Sequence, residues 1–378
     1  MNKKRILVIP STISGGVYYY RIYTPFKQLA DYDKFDITIH QGIKWGIEDI
    51  KYIEDNFDIV IVHNGLYTTE IQESFWKAMI YLKSKGIKFI LDIDDYWNYG
   101  KSHPANNVCL FNAFPKKMMI NFKIVDYVTT TTEYFKNVIG EHFPKDRIYV
   151  FENAISSNDA QFSFFKNPSE KLRIGLTGGS SHTEDIKQLL DFPKYMTKKQ
   201  LEQIEFVFCG YDTKNAEKVI LDENNKVVSI RKLDDKDNWW IQTENHFKSN
   251  IKNYKRVETK DIMKGDFGKI YEDIDVLLVP LKNNLFNRCK SELKFIEAGF
   301  TGTAVIASNV IPYNNFANNN DECLFVDPKP ESWAKAIKKL LNDRELLINI
   351  TSNNSTRIKL LRELERINDK RIDFFENI

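Results

Sequence analysis

Asn287-Arg288-Cys289-Lys290-Ser291-Glu292-Leu293-Lys294-Phe295-Ile296-Glu297-Ala298-Gly299-Phe300 lies between two apolar runs, Ile274-Asp275-Val276-Leu277-Leu278-Val279-Pro280 and Ala304-Val305-Ile306-Ala307-Ser308. Both runs read as buried strands. The segment between them reads as a helix whose start carries Arg288, Lys290 and Ser291. In an open parallel sheet, the carboxyl end of a strand and the amino end of the next helix face the ligand crevice. A helix amino terminus offers free N–H groups and the positive end of a dipole, which suit a phosphate. Lys290, Lys294 and Glu297 stand at i, i+4 and i+7 and share one helical face. Two ammonium groups and a carboxylate there suit a nucleoside diphosphate and its ribose diol. A solvated face with a lysine paired to Glu297 accounts for the same spacing.

The pattern of strand, small-residue loop and helix recurs at the start of each half. Arg5 to Pro10 reads as a strand, followed by Ser11-Thr12-Ile13-Ser14-Gly15-Gly16 and a helix from about Val17 to Ala30. Glycines there let backbone approach a phosphate or sugar closely. The loop is not G-x-G-x-x-G, so a dinucleotide fingerprint is absent. Leu172 to Leu176 opens the second series and runs into Thr177-Gly178-Gly179-Ser180-Ser181-His182. Two glycines, two serines and a histidine between strand and helix again have the chemistry of a phosphate cradle. His182 reads equally as a helix cap.

Further strands read at Lys34 to His40, Asp58 to His63, Lys88 to Ile93, Val125 to Thr131 and Arg147 to Phe151. In the second half they read at Glu205 to Gly210 and Tyr254 to Val257, with an added strand or hairpin at Lys226 to Ile230. Lys260 to Glu272 reads as a helix, and two closing helical pieces run over Arg344 to Asn354 and Ser355 to Phe375. His63 stands at the carboxyl end of its strand, on the crevice side. Asp92, Asp94 and Asp95 cluster at the end of theirs. Three readings fit the cluster: a base or hydroxyl binder for an acceptor, an oxygen clamp for a cation, or carboxylates that pair with Arg or Lys.

These stretches resemble the nucleotide-sugar glycosyltransferases of the two-domain GT-B architecture, retaining type, group 1 or family 4-like. The resemblance rests on Val279-Pro280, Glu297-Ala298-Gly299 and Thr303-Ala304-Val305-Ile306-Ala307-Ser308. Gly15-Gly16 with Arg21 and Pro25, Asp92-x-Asp94-Asp95, and Val125-Asp126-Tyr127-Val128 add to it. It implies two Rossmann-like, doubly wound α/β domains facing a cleft, with the last helix crossing back onto the first domain. The boundaries follow as 1–168 for an acceptor-side domain, 169–357 for a donor domain, and roughly 358–378 returning. Glu297 is implied to hold the ribose, and Arg288 and Lys290 to stabilise the departing diphosphate. Gly15, Gly16, Gly178, Gly179, Ser180, His182, Ser291 and Lys294 are placed around the donor, and Val257 near the nucleobase. His63, Asp94 or Asp95 is placed near the acceptor. Many members carry two glutamates eight positions apart; the first of these positions here is Cys289. The implied donor is a UDP- or GDP-sugar, with neither metal nor cofactor required. The acceptor is a glycan, a lipid-linked glycan or a modified nucleic-acid base. A nucleotide-sugar epimerase on the same architecture and a non-catalytic nucleotide- or glycan-binding module are the alternatives.

Composition agrees with two domains: 378 residues leave room for two cores. With 54 basic and 52 acidic residues, the net charge of +2 gives no general pull toward nucleic acid or membrane. Cys109, Cys209, Cys289 and Cys323 are scattered, with no C-x-x-C pair for zinc and no disulfide framework. The expected compartment is the cytoplasm. No apolar run reaches the length of a transmembrane helix, while peripheral membrane contact stays open.

Overall fold

The computed structural model describes residues 3–101, 103–179, 182–210, 217–221, 227–258 and 260–378. The first sheet comprises β1 (Lys4–Ile9), β2 (Phe35–Ile39), β3 (Ile59–His63), β4 (Lys88–Asp92), β5 (Tyr127–Thr130) and β6 (Ile148–Val150). All its pairings are parallel, in the order β2-β1-β3-β4-β5-β6. The second comprises β7 (Leu172–Gly178), β8 (Ile204–Gly210), β11 (Tyr254–Glu258), β12 (Val276–Val279), β13 (Ala304–Ser308) and β14 (Leu324–Val326). It too is parallel, in the order β11-β8-β7-β12-β13-β14. An antiparallel pair, β9 (Glu217–Leu221) with β10 (Val227–Lys232), forms a separate two-stranded sheet. Helices cover both faces of a parallel sheet, so strands such as Ile59-Val60-Ile61-Val62 are buried at every position.

In each sheet the winding direction reverses once, between β1 and β3 and between β7 and β12. Such a reversal opens a crevice at the carboxyl ends of the strands. The loops after β1, β7 and β12 are the two glycine loops and the Asn287–Phe300 segment, so topology alone brings the three together. The GT-B arrangement read from the sequence is the observed one.

The last helix, Leu364–Asn377, returns to the first sheet. Ile367, Ile372, Phe374 and Phe375 share a core with Ile6, Val8, Ile22 and Phe26. Lys4 Nζ donates to the carbonyl oxygens of Phe375 and Ile378, at 2.8 and 2.7 Å, a favourable site for a cation at a helix carboxyl end. The preceding helix, Arg344–Leu361, packs on the second domain, with Ile350 and Ile358 in its cores. A Cβ on Gly299 would meet Ile358 at 2.5 Å, so this helix crossing requires glycine. The closing helices break between Leu361 and Leu364, later than the sequence suggests, because Ile155 and Glu363 form a β-bridge there.

Three other expectations are corrected. Residues 260–272 form two 3₁₀ turns, Ile262–Lys264 and Phe267–Tyr271, interrupted by Gly265 at φ +75°. The helix after the first glycine loop contains a π-helical turn, Tyr19–Tyr23. Residues 287–300 are not one helix. A short helix, Leu285–Arg288, is followed by a turn, and a second helix runs from Leu293 to Phe300. Lys290 therefore sits in the turn and not on one face with Lys294 and Glu297. Long-range bonds hold the turn open: Ser291 Oγ accepts from Asn153 Nδ2 at 2.8 Å, and Glu292 Oε1 accepts from Arg362 Nε at 2.6 Å.

Candidate active site

A cavity of about 580 Å³ lies between the two halves. The β1 loop and following helix supply Gly16, Tyr20 and Arg21 to its wall, and the β4 loop supplies Asp94 and Asp95. From the second half come Gly178, Gly179 and His182 after β7, and Lys290, Ser291 and Lys294 after β12.

The basic side chains face it with partners already in place. Lys290 Nζ lies 3.2 Å from Asp95 Oδ1 and 4.6 Å above the Phe286 ring. Lys294 Nζ lies 2.8 Å from Glu297 Oε2. His182 Nδ1 is 2.8 Å from Asp185 Oδ2. The other Asp185 oxygen accepts from the Lys282 backbone N–H at 2.7 Å and from Asn287 Nδ2 at 2.9 Å. Asp185 thereby ties the β7 loop to the β12 loop.

Behind the first-domain wall, Arg21 is buried and grips Asp92 through Nη2–Oδ1 at 2.5 Å and Nε–Oδ2 at 3.1 Å. Its Nη1 donates to Asn153 Oδ1 at 3.3 Å, and Asn153 donates to Ser291. Asp92 is thus a structural carboxylate, and the Arg21–Asn153–Ser291 chain links the two domains. Beside it, His63 is 1% exposed. Its Nε2 lies 3.1 Å from Asp94 Oδ1 and its Nδ1 lies 2.6 Å from Ser11 Oγ. Burial alone would lower the His63 pKa, but the Asp94 charge and hydrogen bond outweigh it and the value is raised. Burial alone would raise Asp94; the His63, Arg21 and Lys290 charges hold its carboxyl down at about 2. Asp94 is therefore an ionised carboxylate facing the cavity.

Glu297 lies behind the cavity wall, 2% exposed. Oε1 accepts from Tyr20 Oη at 3.0 Å, and Oε2 from Tyr271 Oη at 2.5 Å as well as from Lys294. Tyr20 comes from the first domain and inserts with Tyr19 into the core of the second. Reciprocally, Cys289 of the second domain is buried in the core of the first. Burial pushes its thiol up to about 12, and it does not line the cavity.

Of the residues singled out in the sequence, the fold thus gathers Gly16, Asp94, Asp95, Gly178, Gly179, His182, Lys290, Ser291 and Lys294 at one cavity. Gly15 opens the helix at φ +75° beside that wall. Arg288 is not brought in: its Nε donates to Asn283 Oδ1 at 2.6 Å on the surface. His63 stands one residue back, behind Asp94. Val257 is on the edge strand β11, paired with the lining residue Cys209 but not itself lining. Ser180 lies outside the described residues. The sequence reading missed Tyr20, hidden in the Tyr18-Tyr19-Tyr20 run, and Tyr313 and Phe267, which also line the cavity. Nothing in their local pattern distinguishes them from core aromatics.

Residues 172–343 match the family model described as "Glycosyl transferases group 1". The chain superposes on HepE (Alr3699) of Anabaena, solved in complex with UDP and glucose, with a TM-score of 0.65, 10% identity and 100% of both chains covered. It superposes on sucrose-phosphate synthase of Thermosynechococcus elongatus with a TM-score of 0.66, 13% identity and 99% of each chain covered. A glycosyltransferase from Rickettsia africae gives 0.64 and 16%, over 100% of this chain and 99% of that one. At such identities the likeness is one of fold. No curated protein matches. The solved structures give the chain the GT-B fold, and the family model adds that its second half is similar to group 1 glycosyl transferases. No helix among the described residues is long and apolar enough to cross a membrane.

Proposed function

We propose that the protein moves a sugar from a nucleoside diphosphate sugar, UDP-linked in preference to GDP-linked, to an acceptor hydroxyl. We further propose that it does so with retention at the anomeric carbon and without a metal ion. The observation that carries this reading is the meeting, at one cavity, of two glycine loops with Lys290 and Lys294. Backbone N–H groups after β7 and the two ammonium groups make a site for a diphosphate. HepE binds UDP and glucose on the same fold.

In the reaction the bond from the anomeric carbon to the diphosphate oxygen breaks, and a bond to the acceptor oxygen forms. The acceptor proton passes to the departing diphosphate oxygen, whose basicity rises as its carbon bond breaks. Lys290 stabilises the charge developing on that diphosphate. Asp94 is ionised at too low a pKa for an effective general base near neutrality. It serves as a fixed negative charge and hydrogen-bond acceptor beside the reacting centre, held in place by His63. Glu297 anchors Lys294 at the wall, and its own contact with a ribose requires Tyr20 to leave Oε1. With Cys289 buried away from the cavity, recognition of the donor sugar falls to other groups.

A thermal-shift screen with UDP, GDP, dTDP and CMP, and with their sugars, tests the reading when run in EDTA. Ligands that bind only the folded form raise its melting temperature. UDP compounds are expected to raise it with the chelator present. No shift with any of them contradicts the reading, and a shift abolished by EDTA contradicts the metal-free part.

A further inference from the structure

A second cavity, of about 280 Å³, adjoins the first. The two share walls: Phe286 lines the second and carries Lys290 of the first above its ring, while Asp185 lines the second and holds His182 of the first. We propose that this second cavity is a subsite for one uncharged pyranose ring of the acceptor, so that the acceptor is a glycan. The inference rests on the donor reading of the neighbouring cavity.

Its rings come from both halves of the molecule. Tyr99 and Phe286 stand edge to face, 5.2 Å between centroids, and His103 lies 4.5 Å from the first and 4.6 Å from the second. An aromatic face is electron-rich and attracts polarised C–H groups. A pyranose presents such C–H groups on one face and hydroxyls round its rim. The amides of Asn98 and Asn284 line the same cavity and offer donors and acceptors to that rim. The volume falls just under the roughly 300 Å³ at which drug-sized pockets begin, which suits a single ring.

One polar atom already lacks a partner. His103 Nδ1 accepts the Ala105 backbone N–H at 3.1 Å, so the proton of the neutral ring is on Nε2. That Nε2 is buried with no hydrogen-bond partner among the described residues. Burial, with Lys290 nearby, holds the His103 pKa below its usual 6.5, so the ring is neutral. A sugar hydroxyl or ring oxygen would satisfy this donor.

Charge decides against the other acceptors. Among the described residues no lysine or arginine lines the cavity. The two carboxylates that do line it are already engaged, Glu184 by Lys187 and Lys282 and Asp185 by His182, so those basic groups are not free for a phosphate. A phosphodiester chain, whether nucleic acid or polyol phosphate, requires cations there.

Saturation-transfer NMR on the full chain tests this, with methyl α- and β-glycosides of glucose, galactose and N-acetylglucosamine as probes. The variants Tyr99→Ala and His103→Phe are compared, the second keeping the ring and losing the N–H. UDP is titrated in parallel by calorimetry. At least one glycoside is expected to bind the wild type, and each variant to weaken it by roughly tenfold with UDP affinity unchanged. No binding by any of the six glycosides, or equal binding in both variants, overturns the subsite. Glycerol phosphate bound in place of the glycosides, with Tyr99→Ala abolishing it, overturns the neutral-ring assignment. Absence of UDP binding instead refutes the donor reading, whatever the glycosides do.

Discussion

Lys290 Nζ lies 3.2 Å from Asp95 Oδ1, and the two residues belong to different domains. The ammonium assigned to the donor diphosphate is thus already engaged by a carboxylate on the acceptor side. A donor competes with Asp95 for it. Removing that competitor favours the donor by no more than a partly exposed ion pair is worth, about 0.2–1 kcal/mol. Asp95→Asn is therefore expected to tighten UDP binding by up to roughly fivefold. Calorimetry of both proteins checks this, and weaker binding in the variant would show that Asp95 positions Lys290 and does not compete for it.

Tyr20 and Glu297 make the second contact across the domains, at 3.0 Å and out of solvent. Tyr20→Phe leaves one carboxylate oxygen without that donor, at a cost of about 1–3 kcal/mol. The melting temperature is expected to fall accordingly. If Tyr20 also stands where a ribose hydroxyl goes, UDP affinity rises in the variant even as stability falls. A loss of both would assign Tyr20 a purely structural part.

The His63–Asp94 pair makes stability depend on pH from both sides. His63 has a raised pKa in the folded protein, so its contribution is complete below its ordinary 6.5 and is lost as pH rises through the raised value. Asp94 is lowered from 3.8 to about 2, so its contribution is complete above 3.8 and is lost as pH falls through about 2. Breaking a buried pair costs about 3–5 kcal/mol. Denaturant unfolding of His63→Ala and wild type from pH 2 to 9 is expected to show the largest gap between about pH 4 and 6.5. A gap that stays constant over this range would contradict the pairing.

How far the sequence goes can be seen residue by residue. Most strands of the two sheets are apolar runs of three to seven residues, and the glycine loops follow β1 and β7 directly. Alternation of strand and helix then determines a parallel sheet, whose reversal points bring both loops to Lys290. The finer assignments failed where distant contacts override local pattern. Lys290 to Glu297 keep helical spacing, yet Asn153 and Arg362 hold the chain between them in a turn. Arg288 looks well placed for a phosphate until the short helix Leu285–Arg288 turns it outward. Glu297 reads as exposed because its partners, Tyr20 and Tyr271, lie 277 and 26 residues away in the chain. His63 reads as a free crevice histidine because only the folded β3–β4 pairing, His63 against Asp92, brings it to Asp94.

Lys290→Ala bears on the whole account most directly, measured as turnover of a UDP-sugar and as affinity for UDP in a variant shown to melt near the wild-type temperature. Loss of one group that stabilises developing charge typically costs about 10²–10³ in turnover, and that fall is expected together with weaker UDP binding. Turnover and affinity both within about twofold of wild type would contradict the claim that this lysine holds the diphosphate.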